Sequence, residues 1–247
     1  MKYVICFQTI RPNKQYFELC SELKCDNYDI YIIIDDNSYV IDFNYDKDIK
    51  VVYMNNIECE NAGYKSLVRW LRNKSCSKDK ALYYLIKNQI QFDYVWFLEE
   101  DCFIPSKNTI KNIDAIYNCG QYDLLVKENF VFHKIQNDRE WHWKYVYELC
   151  KLPPPHGKAL VCALRCSNKL IKCIEKYVSF NKNLFYCESI FNTICLHNNL
   201  KIKSIKELKY MTWIREYKWK YKEIRENFIY HPIKDINIQC EFRKKFK

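Results

Sequence analysis

Glycine is nearly missing from this chain: Gly63, Gly120 and Gly157 are the three in 247 residues. Neither GxGxxG nor a GxxxxGK loop can be assembled from them, so glycine-rich phosphate cradles are excluded and any phosphate must be held another way. No stretch approaches the roughly 20 consecutive apolar residues that a membrane helix needs. The opening Met1-Lys2-Tyr3-Val4-Ile5-Cys6-Phe7 is too short for the apolar region of an export signal. A cytoplasmic protein is the expectation. The fourteen cysteines lack CxxC spacing, and Cys6, Cys102, Cys162 and Cys195 fall inside apolar segments. They are expected to be reduced, mostly buried thiols rather than zinc ligands or disulfides.

What is present suffices for a core. A hydrophobic fraction of 49% and an aromatic fraction of 17% exclude a disordered chain, and the length suits one domain spanning 1–247. The formal charge of +10 is concentrated at the end, where residues 201–247 hold 14 Lys or Arg against 6 Asp or Glu. The aromatic-basic run Trp213, Arg215, Tyr217, Lys218, Trp219, Lys220, Tyr221, Lys222 suits an anionic membrane surface, a nucleic acid or substrate phosphates, and equally a solvated helix face.

Strand-like runs recur at Tyr3 to Phe7, Ile30 to Ile34, Val51 to Met54, Tyr94 to Leu98, Leu124 to Val126 and Leu160 to Leu164. Helical patterns fall between them at Asn13 to Leu23 and Lys80 to Ile90, then from Ser106, which is placed as an N-cap, and from Ser167 to Val178. Another begins close to Glu188. The alternation predicts an α/β fold with a mostly parallel, twisted central sheet covered by helices on both faces.

Two constellations stand at predicted strand ends, where open α/β sheets bind ligands. Asp35-Asp36-Asn37 follows Ile30 to Ile34; it can hold a ribose or a base, and is also ordinary turn chemistry. Glu99-Glu100-Asp101 ends Tyr94 to Leu98. Three adjacent anions repel one another, and a divalent cation with hard oxygen preference, Mn²⁺ or Mg²⁺, is the natural occupant. An exposed acidic turn before Pro105 is the alternative.

An early strand ending in Asp35-Asp36 and a later one ending in Glu99-Glu100-Asp101 resemble the nucleotide-sugar-binding half of GT-A glycosyltransferases, with the triplet as a variant of their DxD motif. The resemblance covers roughly residues 1–130, the nucleotide-sugar-binding half, and leaves 131–247 as an acceptor-binding half. It implies that Asp101 meets the metal and Glu99 lies nearer the ribose, although Glu rather than Asp at the first position departs from the motif. It further implies that Gln8, Thr9 and Arg11 enclose the base, with Asn61-Ala62-Gly63 preceding a helix, and that Asp35, Asp36 and Glu100 complete the nucleotide site.

Two later segments extend the resemblance. Glu188, in Tyr186-Cys187-Glu188-Ser189, is similar to an acid that opens a helix below the acceptor site and takes the proton from an attacking hydroxyl; it also suits a helix dipole with no further role. In Tyr230-His231-Pro232-Ile233-Lys234, the implied roles are metal ligation by His231 and diphosphate neutralisation by Lys234. His156 and Arg165 are candidates for acceptor contact, and Trp141, His142 and Trp143 for stacking on a sugar. The implied partners are a UDP- or GDP-sugar donor and a glycan or glycosylated-protein acceptor, with no nucleic acid. The alternatives are a nucleotidyltransferase, which usually relies on the glycine-rich loop missing here, and a non-catalytic glycan- or nucleic-acid-binding protein.

Overall fold

The structure is a computed structural model that describes residues 1–25, 27–66, 75–117, 120–134 and 143–246. Four parallel strands form one half of the main sheet: β1 (Tyr3–Thr9), β2 (Tyr28–Ile34), β3 (Lys50–Tyr53) and β4 (Tyr94–Glu99). The other half is built from β5 (Leu124–Val126), β8 (Ala163–Ser167) and β9 (Ile202–Ser204), and the order across all seven is β3-β2-β1-β4-β8-β5-β9. Only β8 runs against its neighbours in this sheet. Two small pairs stand apart: β6 (Phe130–Phe132) with β7 (His156–Lys158), and β10 (Tyr210–Met211) with β11 (Tyr230–His231).

The period-two alternation of the strands divides their side chains between two cores. Ile5, Phe7, Ile30, Ile32, Trp96 and Leu98 face α1 (Lys14–Glu22) and α4 (Thr109–Ile116). Val4, Cys6, Tyr31, Ile33, Val95 and Phe97 face α3 (Ser77–Lys87), α6 (Asn168–Asn181) and α7 (Cys187–His197). Helices α2 (Asn56–Asn61), α5 (Trp143–Leu149) and α8 (Ile236–Arg243) complete the set of α-helices among the described residues. None of them is long and apolar enough to cross a membrane.

Several boundaries differ from the sequence reading. Helix α3 occupies Ser77–Lys87 rather than Lys80 to Ile90, because the Asp79 carboxylate accepts the Cys76 and Ser66 amides at 3.2 and 2.9 Å and starts the helix a turn earlier. Its far end is closed by Gln89 at φ +50°. Asn61-Ala62-Gly63 closes α2; Gly63 sits at φ +92°, where a Cβ would meet the Lys182 backbone at 2.8 Å. Ser106 is not the N-cap of α4, which begins after Asn108, whereas Ser167 does cap α6 by accepting the Leu170 amide. The apolar stretch 159–162 carries no strand ladder, and β8 starts at Ala163.

Arg165, expected at the acceptor site, is found instead in the α4-side core, 1% exposed. Its guanidinium binds Asp114 at 2.7 Å and the Tyr117 carbonyl at 2.8 Å, and packs on the Tyr94 ring. Asp114 also accepts from Tyr28 at 2.7 Å and Trp96 at 3.0 Å. The correction has a physical cause: a guanidinium in the sheet interior is retained only with a carboxylate opposite, and α4 supplies one. Asp114→Ala should therefore cost about 3 kcal/mol or more in chemical denaturation, by stranding a buried cation. Replacing both partners with apolar residues of similar volume should recover most of that loss.

Candidate active site at the strand tips

Strands β1, β2 and β4 end at one edge of the sheet, and the acidic residues cluster there. Beyond Ile34, the Asp35 amide bonds to the Thr9 carbonyl at 2.8 Å; beyond Glu99, the Glu100 amide bonds to the Gln8 carbonyl at 3.0 Å. The parallel ladders thus carry Asp35, Asp36, Glu99, Glu100 and Asp101 to one rim, with Gln8 to Arg11 between the two groups.

The protein itself neutralises much of this charge. Lys78, in the first turn of α3, donates to Glu99 Oε1 at 3.1 Å and to the Val161 carbonyl at 2.8 Å. Lys80, fully buried, reaches Asp35 Oδ1 at 3.0 Å, the Asp35 carbonyl at 2.6 Å and Asn37 Oδ1 at 2.9 Å. Burial pushes the Lys78 ammonium down, but the Glu99 carboxylate and nearby thiols outweigh it, so its pKa is raised and it stays charged. Arg11 pairs with Asp36 at 2.5 Å. Glu100 accepts from the Thr9 hydroxyl and, at 3.2 Å, from the Ile10 amide. Each carboxylate of the triplet thus has a partner within the chain.

A residual charge is left. Among the described residues, five carboxylates face three permanent cations, Arg11, Lys78 and Lys80, a formal −2 before His231 is counted. His231 comes from β11, which is held to the segment after β4 by paired backbone bonds between Phe103 and Tyr230 at 2.8 and 3.1 Å. The Ile233 amide adds a bond to the Asp101 carbonyl at 2.8 Å. His231 Nδ1 lies 3.1 Å from the Thr212 carbonyl, which can only accept, so the proton sits on Nδ1 and the ring is fixed. Its Nε2 faces Asp101 Oδ1 at 3.3 Å and Glu99 Oε2 at 3.9 Å. Burial works to lower the His231 pKa, yet the Asp101 and Glu99 carboxylates raise it overall. An imidazole oriented by a carbonyl and aimed at two carboxylates fits a divalent cation, as does the leftover charge.

The other expected residues take distinct places. Gln8 is buried with its Nε2 unpartnered among the described residues. Glu188 lies in the first turn of α7, where Tyr186 donates to it at 3.0 Å. Lys234 is more than half exposed and lies 3.5 Å from Glu216, beside a cavity of about 430 Å³ lined by Arg215, Tyr217, Trp219 and Ile238. His156 is buried, its Nε2 3.0 Å from the Leu152 carbonyl. Trp141, His142 and the side chain of Trp143 lie outside the described residues. Sequence reasoning missed Lys78, Lys80 and Cys162. The usable signal was Lys78-Asp79-Lys80 at a helix start, where cations oppose the dipole and need a reason to be there.

No family model and no curated protein matches the sequence. Solved structures do resemble the architecture. An active-site mutant of LgtC superposes with a TM-score of 0.50 at 10% identity, covering 98% of this chain and 95% of that one. The fold is GT-A-like. The galactosyltransferase LgtC with donor and acceptor sugar analogues gives 0.49 at 10% identity, with the same coverage. A 4-diphosphocytidyl-2C-methyl-D-erythritol synthase from Anaerococcus prevotii DSM 20548 gives 0.46 at 12%, covering 99% and 96%. At such identities the likeness concerns the fold alone.

The Asp36 carboxylate is held down to about 2, first by the Ser38 hydroxyl and amide and then by Arg11. A lowered carboxylate contributes stability that is present above its ordinary value and lost as pH falls through the folded one. An NMR titration should place its midpoint near 2. Ser38→Ala should raise that midpoint more than Arg11→Gln does.

Proposed function

We propose that the chain is a glycosyltransferase that moves a sugar from a UDP- or GDP-sugar to a hydroxyl of a glycan or glycosylated protein, with Mn²⁺ or Mg²⁺ at a variant DxD motif. The observation that carries this reading is the return of His231 to within 3.3 Å of Asp101, its ring locked by Thr212, on a rim where carboxylates outnumber permanent cations among the described residues. Asp101 and His231 would hold the cation; when bound it would offset the charge that gathers on the departing diphosphate.

The remaining roles belong to the chain's own side chains. The unpartnered Gln8 amide and the Thr9 to Arg11 segment receive the base. Asp35, Asp36 and Glu99 accept from ribose hydroxyls, and Glu100 holds Thr9 and Ile10 in place. Lys234, on the strap that follows His231, meets the diphosphate after exchanging its exposed partner Glu216. Glu188 takes the acceptor proton as the acceptor oxygen bonds to the anomeric carbon and the diphosphate leaves with the bonding electrons. In this reading residues 1–247 act as one domain, with 1–130 binding the donor and 131–247 the acceptor.

Thermal unfolding with nucleoside diphosphates tests the reading. With Mn²⁺ present, UDP or GDP at about 100 times its Kd should add about 2.7 kcal/mol of stability. Asp101→Ala and His231→Ala should remove the metal-dependent part; no stabilisation by any nucleoside diphosphate would overturn the assignment. Glu188→Gln should lower kcat roughly 10²- to 10⁴-fold with nucleotide binding intact. Release of a nucleoside diphosphate on sugar transfer separates this activity from nucleotidyl transfer, which releases pyrophosphate.

The exposed Trp213, Ile214, Tyr217 and Tyr221, interleaved with Arg215, Lys218, Lys220 and Lys222, form a surface suited to the interface of an anionic membrane in the cytoplasm. Co-sedimentation with phosphatidylserine vesicles should be measurable at low salt and fall steeply as salt rises. Binding that is equal on neutral vesicles would refute a charge-driven contact.

A further inference from the structure

The cation reading so far uses oxygen and nitrogen donors. Among the described residues, one mixed group brings a sulfur as well: Glu99, Cys162 and His231 each present a ligand atom within 4.8 Å of the other two. Cys162 is buried just before β8, and its position is fixed from two sides. Its carbonyl accepts the Glu99 amide at 2.9 Å and the Cys102 thiol at 3.2 Å. The backbone of Cys162 is thereby tied to the same strand end as Glu99.

We propose that Cys162 is a sulfur ligand at the strand-tip site, so that the site binds thiophilic divalent cations such as Zn²⁺ through the donors of Cys162, Glu99 and His231. This rests on the reading that the rim holds a divalent cation, and it adds the cation class. Donor atoms at the Zn–N, Zn–O and Zn–S distances of a tetrahedral site lie about 3.5 Å apart. His231 Nε2 stands 3.9 Å from Glu99 Oε2, and the Cys162 thiol has its sulfur within 4.8 Å of a ligand atom of each, so these three donors are near that spacing. Lys78 stays on Glu99 Oε1 and leaves Oε2 turned toward the imidazole. A cation that coordinates this thiol displaces its proton. Hard Mg²⁺ gains little from sulfur, whereas Zn²⁺ and Co²⁺ gain much.

Cobalt titration of the whole chain tests this without relying on activity. Co²⁺ should produce a thiolate-to-metal charge-transfer band in the near ultraviolet that Zn²⁺ abolishes, and that is missing in Cys162→Ser and His231→Ala. By calorimetry, Cys162→Ser should weaken Zn²⁺ by about 10- to 100-fold while leaving Mn²⁺ within about threefold. Where the serine variant does not fold, Cys162→Ala serves in its place. Absence of the band from the wild-type protein overturns the proposal with no variant needed. A band that survives Cys162→Ser places the sulfur elsewhere among the fourteen cysteines and also overturns it. Nucleotide binding with Mn²⁺ but no thiolate band would sink this inference and leave the transferase reading standing. The band without any nucleotide binding would do the reverse.

Discussion

The pairing of Lys78 with Glu99 is the constraint on which the rim depends. Two lysines in the first turn of a helix oppose its dipole, and burying them adds a desolvation cost that an isolated ammonium cannot meet. Helix α3 can present Lys78 and Lys80 to the sheet only because Glu99 and Asp35 stand at the tips of β4 and β2 to receive them. The converse holds as well: those carboxylates tolerate their apolar strands because the helix delivers a cation to each. Strand tips and helix start are therefore one electrostatic unit, and Asp79, between the two lysines, fixes the helix start by accepting the Cys76 and Ser66 amides.

The C-terminal segment completes that unit from the opposite side. Phe103, Ile224, Tyr230, Ile233 and Phe242 form a separate apolar cluster, which seats the returning chain against the segment after β4. Polar bonds then set the register. Gln239 donates to the carbonyls of Glu100 and Ile233 at 3.1 and 2.8 Å, and Arg243 to that of Ile104 at 2.9 Å. With those anchors the imidazole of His231 arrives as a positioned group, although about 130 residues separate it from Asp101. The basic tail thus has two characters: a docked part that builds the site, and an exposed aromatic-basic stretch over 213–222 that faces outward.

The local physics of the strands made the sheet legible. Continuous β-branched and aromatic runs located β1, β2, β4 and β5 to within a few residues, and carboxylates directly after two of them marked the rim. The misreadings share a cause. Ala159 to Cys162 is as apolar as a strand, but its carbonyls at Val161 and Cys162 are taken by Lys78, the Glu99 amide and the Cys102 thiol, so the ladder begins later. Arg165 looked like a ligand-binding cation because nothing in its own segment announces Asp114, 51 residues away in sequence. Lys78 and Lys80 were passed over for the same reason: their partners come from other elements. Periodicity reports what a residue does to its own segment; an ion pair across the sheet is visible only once topology has brought the partners together.

That distinction bears on how the acidic triplet is understood. Read along the chain, Glu99-Glu100-Asp101 is a concentration of like charge that a metal must relieve. In three dimensions the relief is distributed: a lysine for Glu99, a hydroxyl and an amide for Glu100, an oriented imidazole for Asp101. The rim is thus arranged before any ligand arrives, and what remains is a small uncompensated charge rather than an unstable cluster. Pre-arrangement of this kind keeps the reorganisation needed on binding low, because the carboxylates are already separated and aimed. It also limits how much a cation can be required for folding. A site whose charges were balanced only by metal would unfold on chelation, whereas this one holds its shape through Lys78 and Lys80.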